Sequence, residues 1–315
     1  MRAVLADPPN GAPALADFAE PVADGGQELI QVRAAALTNL DVANAEGRHY
    51  LTPKARPFVV GREALGVGAD GRRRWWNAVS LVEPFGSMAE RTLAKAGTGL
   101  PVPDEAPDAL AAAVGNAGLA AWLALSWRAR LQRGERVLIL GATGVSGLIA
   151  VTAARRLGAG RIVAAGRDPA ALARAQSLGA DATVSLTQAE GLAARYREAA
   201  SGEADVVIDF LNGPPAEAAI AVMAHGGRIA QIGSSAAPAM RLDAQTARKG
   251  LLDVLGFAYY HAPLALQAEA YAELCRLAVA GEIELAHETV PLADFQRAWD
   301  RQKAGGAARQ VVMPG

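Results

Sequence analysis

The spacing of apolar residues changes about a third of the way along the chain. Residues 1 to about 110 carry short apolar stretches such as Leu29-Ile-Gln-Val32 and Pro57-Phe-Val-Val60, punctuated by Pro8, Pro9, Gly11, Pro13, Pro21, Gly25 and Gly26. Runs of that length between turn residues predict short strands. Pro101-Val-Pro103-Asp-Glu-Ala-Pro107 reads as a connector. Beyond it, Ala/Leu-rich helical stretches alternate with compact apolar runs. Those runs predict strands at Arg136–Leu140, Arg161–Ala165, Ala182–Ser185, Asp205–Asp209, Gly227–Ile232 and Asp253–Phe257. Strand–helix alternation at this spacing means βαβ units and a parallel sheet covered on both faces. Six such strands fit a doubly wound dinucleotide fold. Local signals agree after the second strand, where Asp168 can cap a helix, Pro169 can open it and Gly179 can close it. The last 30 residues return to strand-like text (Glu288-Thr-Val290, Gln310-Val-Val-Met313), which predicts that the chain end rejoins the first domain.

Composition narrows the function classes. The 315 residues suggest two domains. Lys and Arg number 31 against 32 Asp and Glu, a net charge of −1, so neither nucleic acid nor an anionic membrane would be held mainly by electrostatics. Cys275 is the only cysteine, which excludes an internal disulfide, a Cys₄ zinc lobe and a CxxC pair. The N-terminus lacks the apolar core of a signal peptide. The charge-free run Val137–Ala154 is 18 residues long, but Gly141, Gly144 and Gly147 interrupt it, so it predicts a strand, a tight turn and a helix rather than a membrane span. The expected location is cytoplasmic. Arg72-Arg-Arg74-Trp75-Trp76 sets basic residues beside aromatics, a pattern that can bind nucleic acid. With balanced charge it reads instead as a solvated turn leading into a strand.

The chemistry concentrates at Gly141-Ala-Thr143-Gly144-Val145-Ser146-Gly147. Gly144 and Gly147 take the second and third places of a GxGxxG fingerprint, and Ala142 replaces the first. Gly144 would admit a pyrophosphate to the backbone, Gly147 would let helix and sheet pack closely, and the helix N-terminus would supply N–H groups. Without a ligand the same text is an ordinary tight βα turn. At the end of the second strand, where an NAD site usually has a carboxylate for the ribose, stands Gly166, followed by Arg167. A guanidinium facing a 2′-phosphate is worth on the order of 10- to 100-fold in preference for NADPH. The plain alternative is an exposed solubilising arginine. Asn212, Gly233 and Ser234 end the fourth and fifth strands, as neighbours of the nicotinamide half or as simple turn residues.

With these residues in view, the chain resembles the medium-chain dehydrogenase/reductase superfamily, most closely its zinc-independent, quinone-oxidoreductase-like branch. The matching text is Ala36-Leu-Thr38-Asn39-Leu-Asp41 with Gly47, Gly61-Arg62-Glu63, Phe85-Gly-Ser-Met-Ala-Glu90, Gly118-Leu-Ala-Ala-Trp122, Gly141 to Gly147, and Gly226-Gly-Arg228 to Gly233. The resemblance implies an α/β protein: a GroES-like, mainly β catalytic domain (residues 1–112 and 258–315) and a Rossmann domain (residues 113–257), with nicotinamide and substrate in the cleft between them. It implies a homodimer joined edge to edge through the apolar strand Asp253–Phe257.

Zinc-dependent relatives place a Cys, a His and a second Cys around a catalytic metal. The corresponding positions here are Thr38, Arg62 and Asn116, none of them a suitable Zn²⁺ ligand. No metal is therefore expected. Leu40 stands where many relatives keep a relay hydroxyl. The expected reaction is hydride transfer from NADPH to a quinone or an α,β-unsaturated carbonyl. The alternatives are a metal-free carbonyl reductase or alcohol dehydrogenase, and a non-catalytic NADPH-binding protein. Thr38, Asn39, Asp41, Tyr50 and Arg62 are the candidate catalytic groups. Arg62 would polarise the acceptor oxygen or pair with Glu63 or Asp41, the second reading being slightly preferred. Tyr259, Tyr260 and His261 would line a substrate mouth or a dimer contact.

Overall fold

Val137-Leu-Ile-Leu140 has no polar side chain to offer water, and it lies where none is needed, inside a six-stranded parallel sheet. The strand order is Ala182–Ser185, Arg161–Gly166, Arg136–Leu140, Ala204–Asp209, Met223–Gln231 and Asp253–Gly256. All five pairings are parallel. Chain order reverses between Arg136–Leu140 and Ala204–Asp209, which makes the carboxyl ends of these two strands the switch point where such sheets bind ligands. All six expected strands form. The fifth starts earlier than expected, because Met223 pairs with Ala204 ahead of a register shift. Leu138, Leu140, Val163, Val207 and Ile229 of the sheet pack with Tyr196, Ile220 and Met223, all buried. Fully burying an aliphatic side chain contributes about 1.5–3 kcal/mol, so this cluster anchors the turns at the sheet's edge. Asp168 caps the helix Pro169–Ser177 through Ala170 N–H and Ala171 N–H, and Gly179 follows its end with φ of +114°.

The structure, a computed structural model, describes residues 1–7, 12–305 and 308–315; Pro8, Pro9 and Gly11 of the expected N-terminal turns lie outside them. The described chain divides into two compact units, Met1–Asn116 with Pro263–Gly315, and Ala117–Ala262. The first is mainly β. One sheet pairs Arg2–Ala6 with Ala14–Asp17 and Phe58–Val59. A second runs from His287–Pro291 through Arg309–Met313, Gln27–Ala36, Ala64–Val67 and Arg73–Trp76 to Leu100–Pro101. The late strand Arg309–Met313 pairs antiparallel with Gln27–Ala36, so the chain end does rejoin the first unit. Val32, Leu37, Phe58, Phe295, Trp299 and Val312 are among the residues of its core.

One sequence reading changes, and a second long apolar run joins the one at Val137. The run Ala109–Trp127 is also free of charge and longer than the one at Val137. It lies in the helix Asp108–Leu123 and its π-helical continuation Ala124–Arg128, which together are long and apolar enough to cross a membrane, with 72% of the apolar window buried inside the protein. The Arg72–Trp76 stretch is less solvated than expected. Trp75 and Trp76 are fully buried, Arg73 binds Asp108 and the carbonyls of Pro103, Asp104 and Ala106, and Arg74 pairs with Asp70. Indole rings sealed in a core cannot stack on bases, so this stretch is structural.

Candidate active site

The phosphate-type turn forms at the carboxyl end of Arg136–Leu140. Gly141 takes φ of +84°, and the N–H groups of Gly141 and Ala142 both donate to Ala165 O at 2.9 Å, tying the turn to the neighbouring strand. Gly144 is the N-cap of the helix Val145–Arg156 and has no side chain to cap it. The first-turn N–H groups of Val145, Ser146 and Gly147 therefore point outward at the positive end of a twelve-residue helix. The glycines divide the work. A Cβ on Gly147 would lie 2.2 Å from Gly141 O and 2.5 Å from Ala142 Cα, so only glycine permits this turn. A Cβ on Gly144 would meet nothing closer than 3.7 Å: the space over it is open. Gly166 is packed on the side chain of Thr143, where a Cβ would come within 2.2 Å. Backbone donors and a Cβ-free approach make a seat for an anion.

The other expected residues of this unit lie at the same sheet edge. The register Leu140↔Ala165, Leu140↔Asp209 and Asp209↔Gln231 aligns the strand ends that precede Gly141, Gly166, Asn212 and Gly233. Arg167 is exposed and has no carboxylate partner among the described residues, while Asp168 is occupied as a helix cap. Asn212 is buried with φ of +63°, and its Oδ1 has no partner. Ser234 is exposed. Asp209 was not among the expected site residues. Its Oδ1 accepts from Leu211 N–H and Asn212 N–H, both at 2.9 Å, which holds Asn212 in its left-handed conformation. Burial raises its pKa above the usual carboxylate range. An acid closing the apolar run Val206-Val-Ile208 was the sequence signal for it.

In the first unit, Thr38, Asp41 and Arg62 come together. Thr38 caps the helix Asn39–Ala45. Asp41 Oδ2 accepts from Thr38 N–H at 2.8 Å and from the Thr38 hydroxyl at 2.7 Å, and Asp41 Oδ1 accepts from Arg62 N–H at 2.8 Å. Burial raises the Asp41 pKa, against these hydrogen bonds and the Arg62 charge. Arg62 is 5% exposed; its Nη2 donates to Ala78 O at 2.7 Å, and its Nε is buried without an acceptor. The expected pairing of this guanidinium with Glu63 or Asp41 does not form: Asp41 takes the backbone N–H instead, and Glu63 accepts from Asn116 N–H at 3.2 Å and feels the charge of Arg309. Asn39 and Tyr50 are not brought into this cluster. Asn39 accepts from Gln302 at 2.7 Å, and Tyr50 is 75% exposed, its ring tilted against His49. Thr38, Arg62 and Asn116, the positions of a catalytic metal in zinc-dependent relatives, supply no soft or borderline donor. No group of three or more His, Cys, Asp or Glu that could hold a metal occurs among the described residues. In the second unit, Tyr259 is buried and begins a short 3₁₀ turn through His261.

Comparison with known proteins agrees with this geometry. A family profile described as zinc-binding dehydrogenase matches residues 146–279. A phenolphthiocerol/phthiocerol polyketide synthase subunit of Mycobacterium tuberculosis is 31% identical over 220 residues, 66% of this chain and 10% of that protein. Prostaglandin reductase-3 of Mus musculus is 28% identical over 223 residues, 69% of this chain and 58% of that protein. The chain thus spans about a tenth of the first relative and just over half of the second. The quinone oxidoreductase of Thermus thermophilus, solved alone and with NADPH, superposes with a TM-score of 0.79 at 29% identity, covering both chains fully. Fold, phosphate-type turn and sequence relationship point the same way: the chain is similar to the quinone-oxidoreductase-like branch of the medium-chain dehydrogenase/reductase superfamily.

Proposed function

We propose that this chain is an NADPH-dependent reductase that passes hydride, without a metal ion, to a quinone or an α,β-unsaturated carbonyl. The observation that carries the reading is the uncapped helix N-terminus at Gly144 together with the unpaired guanidinium of Arg167. The amides of Val145 and Ser146, with the hydroxyls of Thr143 and Ser146, would bind the diphosphate, and Arg167 the 2′-phosphate. The neighbouring carboxylate, Asp168, serves its helix rather than the 2′-hydroxyl of an NADH. Asn212, Gly233 and Ser234 fall to the nicotinamide half. Bound NADPH supplies the hydride.

The first unit's residues carry the acceptor. In a zinc-dependent relative a Lewis acid polarises the substrate oxygen; here a fixed cation, Arg62, stands at one of those positions and does so by charge and hydrogen bonding. The Thr38 hydroxyl spends its proton on Asp41, and Asn39 is held by Gln302, so neither is a proton donor. Water then supplies the proton, a demand that enones and quinones meet more easily than an alkoxide-forming reaction. We also propose a homodimer, formed through the edge strand Asp253–Gly256.

The test is NADPH oxidation against panels of quinones, enones and aldehydes, with NADH in parallel and product analysis on an enone. Reduction of quinones or of the enone C=C bond, faster with NADPH, is the expected result. An allylic alcohol as product would make the protein a carbonyl reductase. Binding of NADPH with no oxidation by any acceptor would make it a non-catalytic binder.

A further inference from the structure

The strand order fixes which way a dinucleotide runs across this sheet. Arg161–Gly166 and Ala204–Asp209 flank Arg136–Leu140 on opposite sides. With the diphosphate on the turn at Gly144 and the 2′-phosphate on Arg167, the other half of the molecule extends over the turn that follows Asp209. The two turns adjoin: a Cβ on Gly141 would lie 3.1 Å from Leu211 Cδ2 and 3.3 Å from Phe210 Cβ. Neighbouring segments hold the outside of the Asp209 turn. Phe210 N–H donates to Leu140 O at 3.2 Å, Ala236 N–H to Leu211 O at 2.9 Å, and the Ser235 hydroxyl to Phe210 O at 3.1 Å. Its inside is held by one atom, Asp209 Oδ1, which accepts from both Leu211 N–H and Asn212 N–H. A carboxylate that clasps the backbone two and three residues ahead bends the chain sharply. Asn212 thereby keeps φ of +63°, a conformation that costs energy outside glycine. Two acceptors of this turn, Asp209 Oδ2 and Asn212 Oδ1, are buried without a donor. Burial raises the Asp209 pKa, and a protonated carboxyl turns one of those acceptors into a donor.

We infer that Asp209 is the positioning residue for the nicotinamide half of NADPH, its two backbone bonds setting the turn against which that half lies. The inference rests on the NADPH reading of the turn at Gly144. Asp209 is fully buried and touches no nucleotide atom itself; it acts through Leu211 and Asn212. Its hold is one-sided. Gly166 and Arg167 follow a strand on the far side of Arg136–Leu140, so the adenosine half keeps its seat whatever stands at position 209. Asparagine there has the same shape and the same division of labour as a protonated carboxyl, one oxygen that accepts and one nitrogen that donates. Alanine offers the two N–H groups nothing, and the energy of holding Asn212 left-handed is then uncompensated.

Two probes separate the halves of the nucleotide: NADPH, and 2′,5′-ADP, which carries the 2′-phosphate and a 5′-phosphate but no nicotinamide. Both are titrated by calorimetry into the wild type, Asp209→Ala and Asp209→Asn. Asp209→Ala should weaken NADPH about 10-fold or more and leave 2′,5′-ADP within a factor of two. Asp209→Asn should restore most of the NADPH affinity. Emission from bound NADPH arises in its nicotinamide ring, so at saturation it should fall toward that of the free nucleotide in Asp209→Ala and recover in Asp209→Asn. Where Asp209→Ala does not fold, Asp209→Ser keeps a weaker clasp and should show the same selective loss. Equal loss of both probes, or loss of neither, overturns the inference while the NADPH reading stands. Asp209→Asn that melts like wild type yet binds NADPH as weakly as Asp209→Ala overturns it too. A wild type that takes up neither probe removes the NADPH reading and the inference together.

Discussion

The Asp41 carboxylate lies 2.7 Å from the Thr38 hydroxyl, and each residue caps the other's backbone: Thr38 N–H donates to Asp41 Oδ2, and Asp41 N–H donates to Thr38 Oγ1. The second Asp41 oxygen takes the N–H of Arg62. One buried side chain thus fixes the start of a helix and the backbone on which the arginine sits. Asp41→Ala leaves Thr38 N–H, Thr38 Oγ1 and Arg62 N–H without their acceptor. At about 1–3 kcal/mol for a buried unsatisfied group, a loss of about 2–4 kcal/mol in urea unfolding is expected. Asp41→Asn keeps an acceptor oxygen and should lose less than half of that. Equal losses in the two variants would show that the carboxylate's hydrogen bonds are not what holds this corner.

The two glycines of the phosphate-type turn should fail differently. A methyl on Gly147 collides with Gly141 O, so Gly147→Ala should distort the turn, lowering stability by about 1–3 kcal/mol. A Cβ on Gly144 would meet only Gly141 O, at 3.7 Å. Gly144→Val should melt within a few degrees of wild type, yet fill the space an approaching phosphate needs and lose NADPH binding by calorimetry. Tight NADPH binding by Gly144→Val would move the nucleotide away from this helix end.

How far the sequence revealed this fold follows from the range of the forces involved. Val137-Leu-Ile-Leu140 and its sister strands were legible because apolar runs between turn signals are local. So were the Asp168 cap and Pro169, which act within three residues. The partner of Arg62 was not legible. Asp41, Glu63 and Ala78 all offer acceptors to the buried charges near it, and only the folded backbone decides that Ala78 O takes the guanidinium while Glu63 accepts from Asn116 N–H. Asn39 shows the same limit, since its partner Gln302 lies 263 residues away.

Arg167 is exposed at the end of the second strand, with no carboxylate on it among the described residues. If it binds the 2′-phosphate, Arg167→Ala should reduce kcat/KM for NADPH by about 10- to 100-fold and leave NADH within a factor of two. An unchanged ratio of the two cofactors would mean that selectivity is set elsewhere.

Glu63 gives a stability signature. Burial pushes its carboxyl up to about 8 from an ordinary 4.5, against the pull of Arg309, while burial lowers Arg309. Between those two values the unfolded chain has released this proton and the folded chain retains it. Stability from this group is therefore full below the unfolded pKa and falls as pH rises toward about 8. Glu63→Gln cannot ionise, so the wild-type melting temperature should decline relative to that of the variant from pH 5 to pH 8. Parallel melting curves across that range would mean that Glu63 is ionised throughout, as the partner of Arg309.

The edge strand Asp253–Gly256 pairs with Met223–Gln231 on one side only, and Val254 is 41% exposed. An unpaired apolar edge is a template for a second chain. If a second copy of the chain covers it, sedimentation of the wild type should give twice the mass of 32.5 kDa. Val254→Lys, which places a charge on that edge, should shift the protein toward the single-chain mass while leaving the register with Ile229, and hence the melting temperature at high dilution, nearly unchanged. NADPH affinity should survive the change, because Gly144 and Arg167 follow strands at the other side of the sheet. A wild type that sediments as one chain at every concentration would mean that Val254 is simply a solvent-facing residue, and that the short length of the strand is enough to blunt its edge.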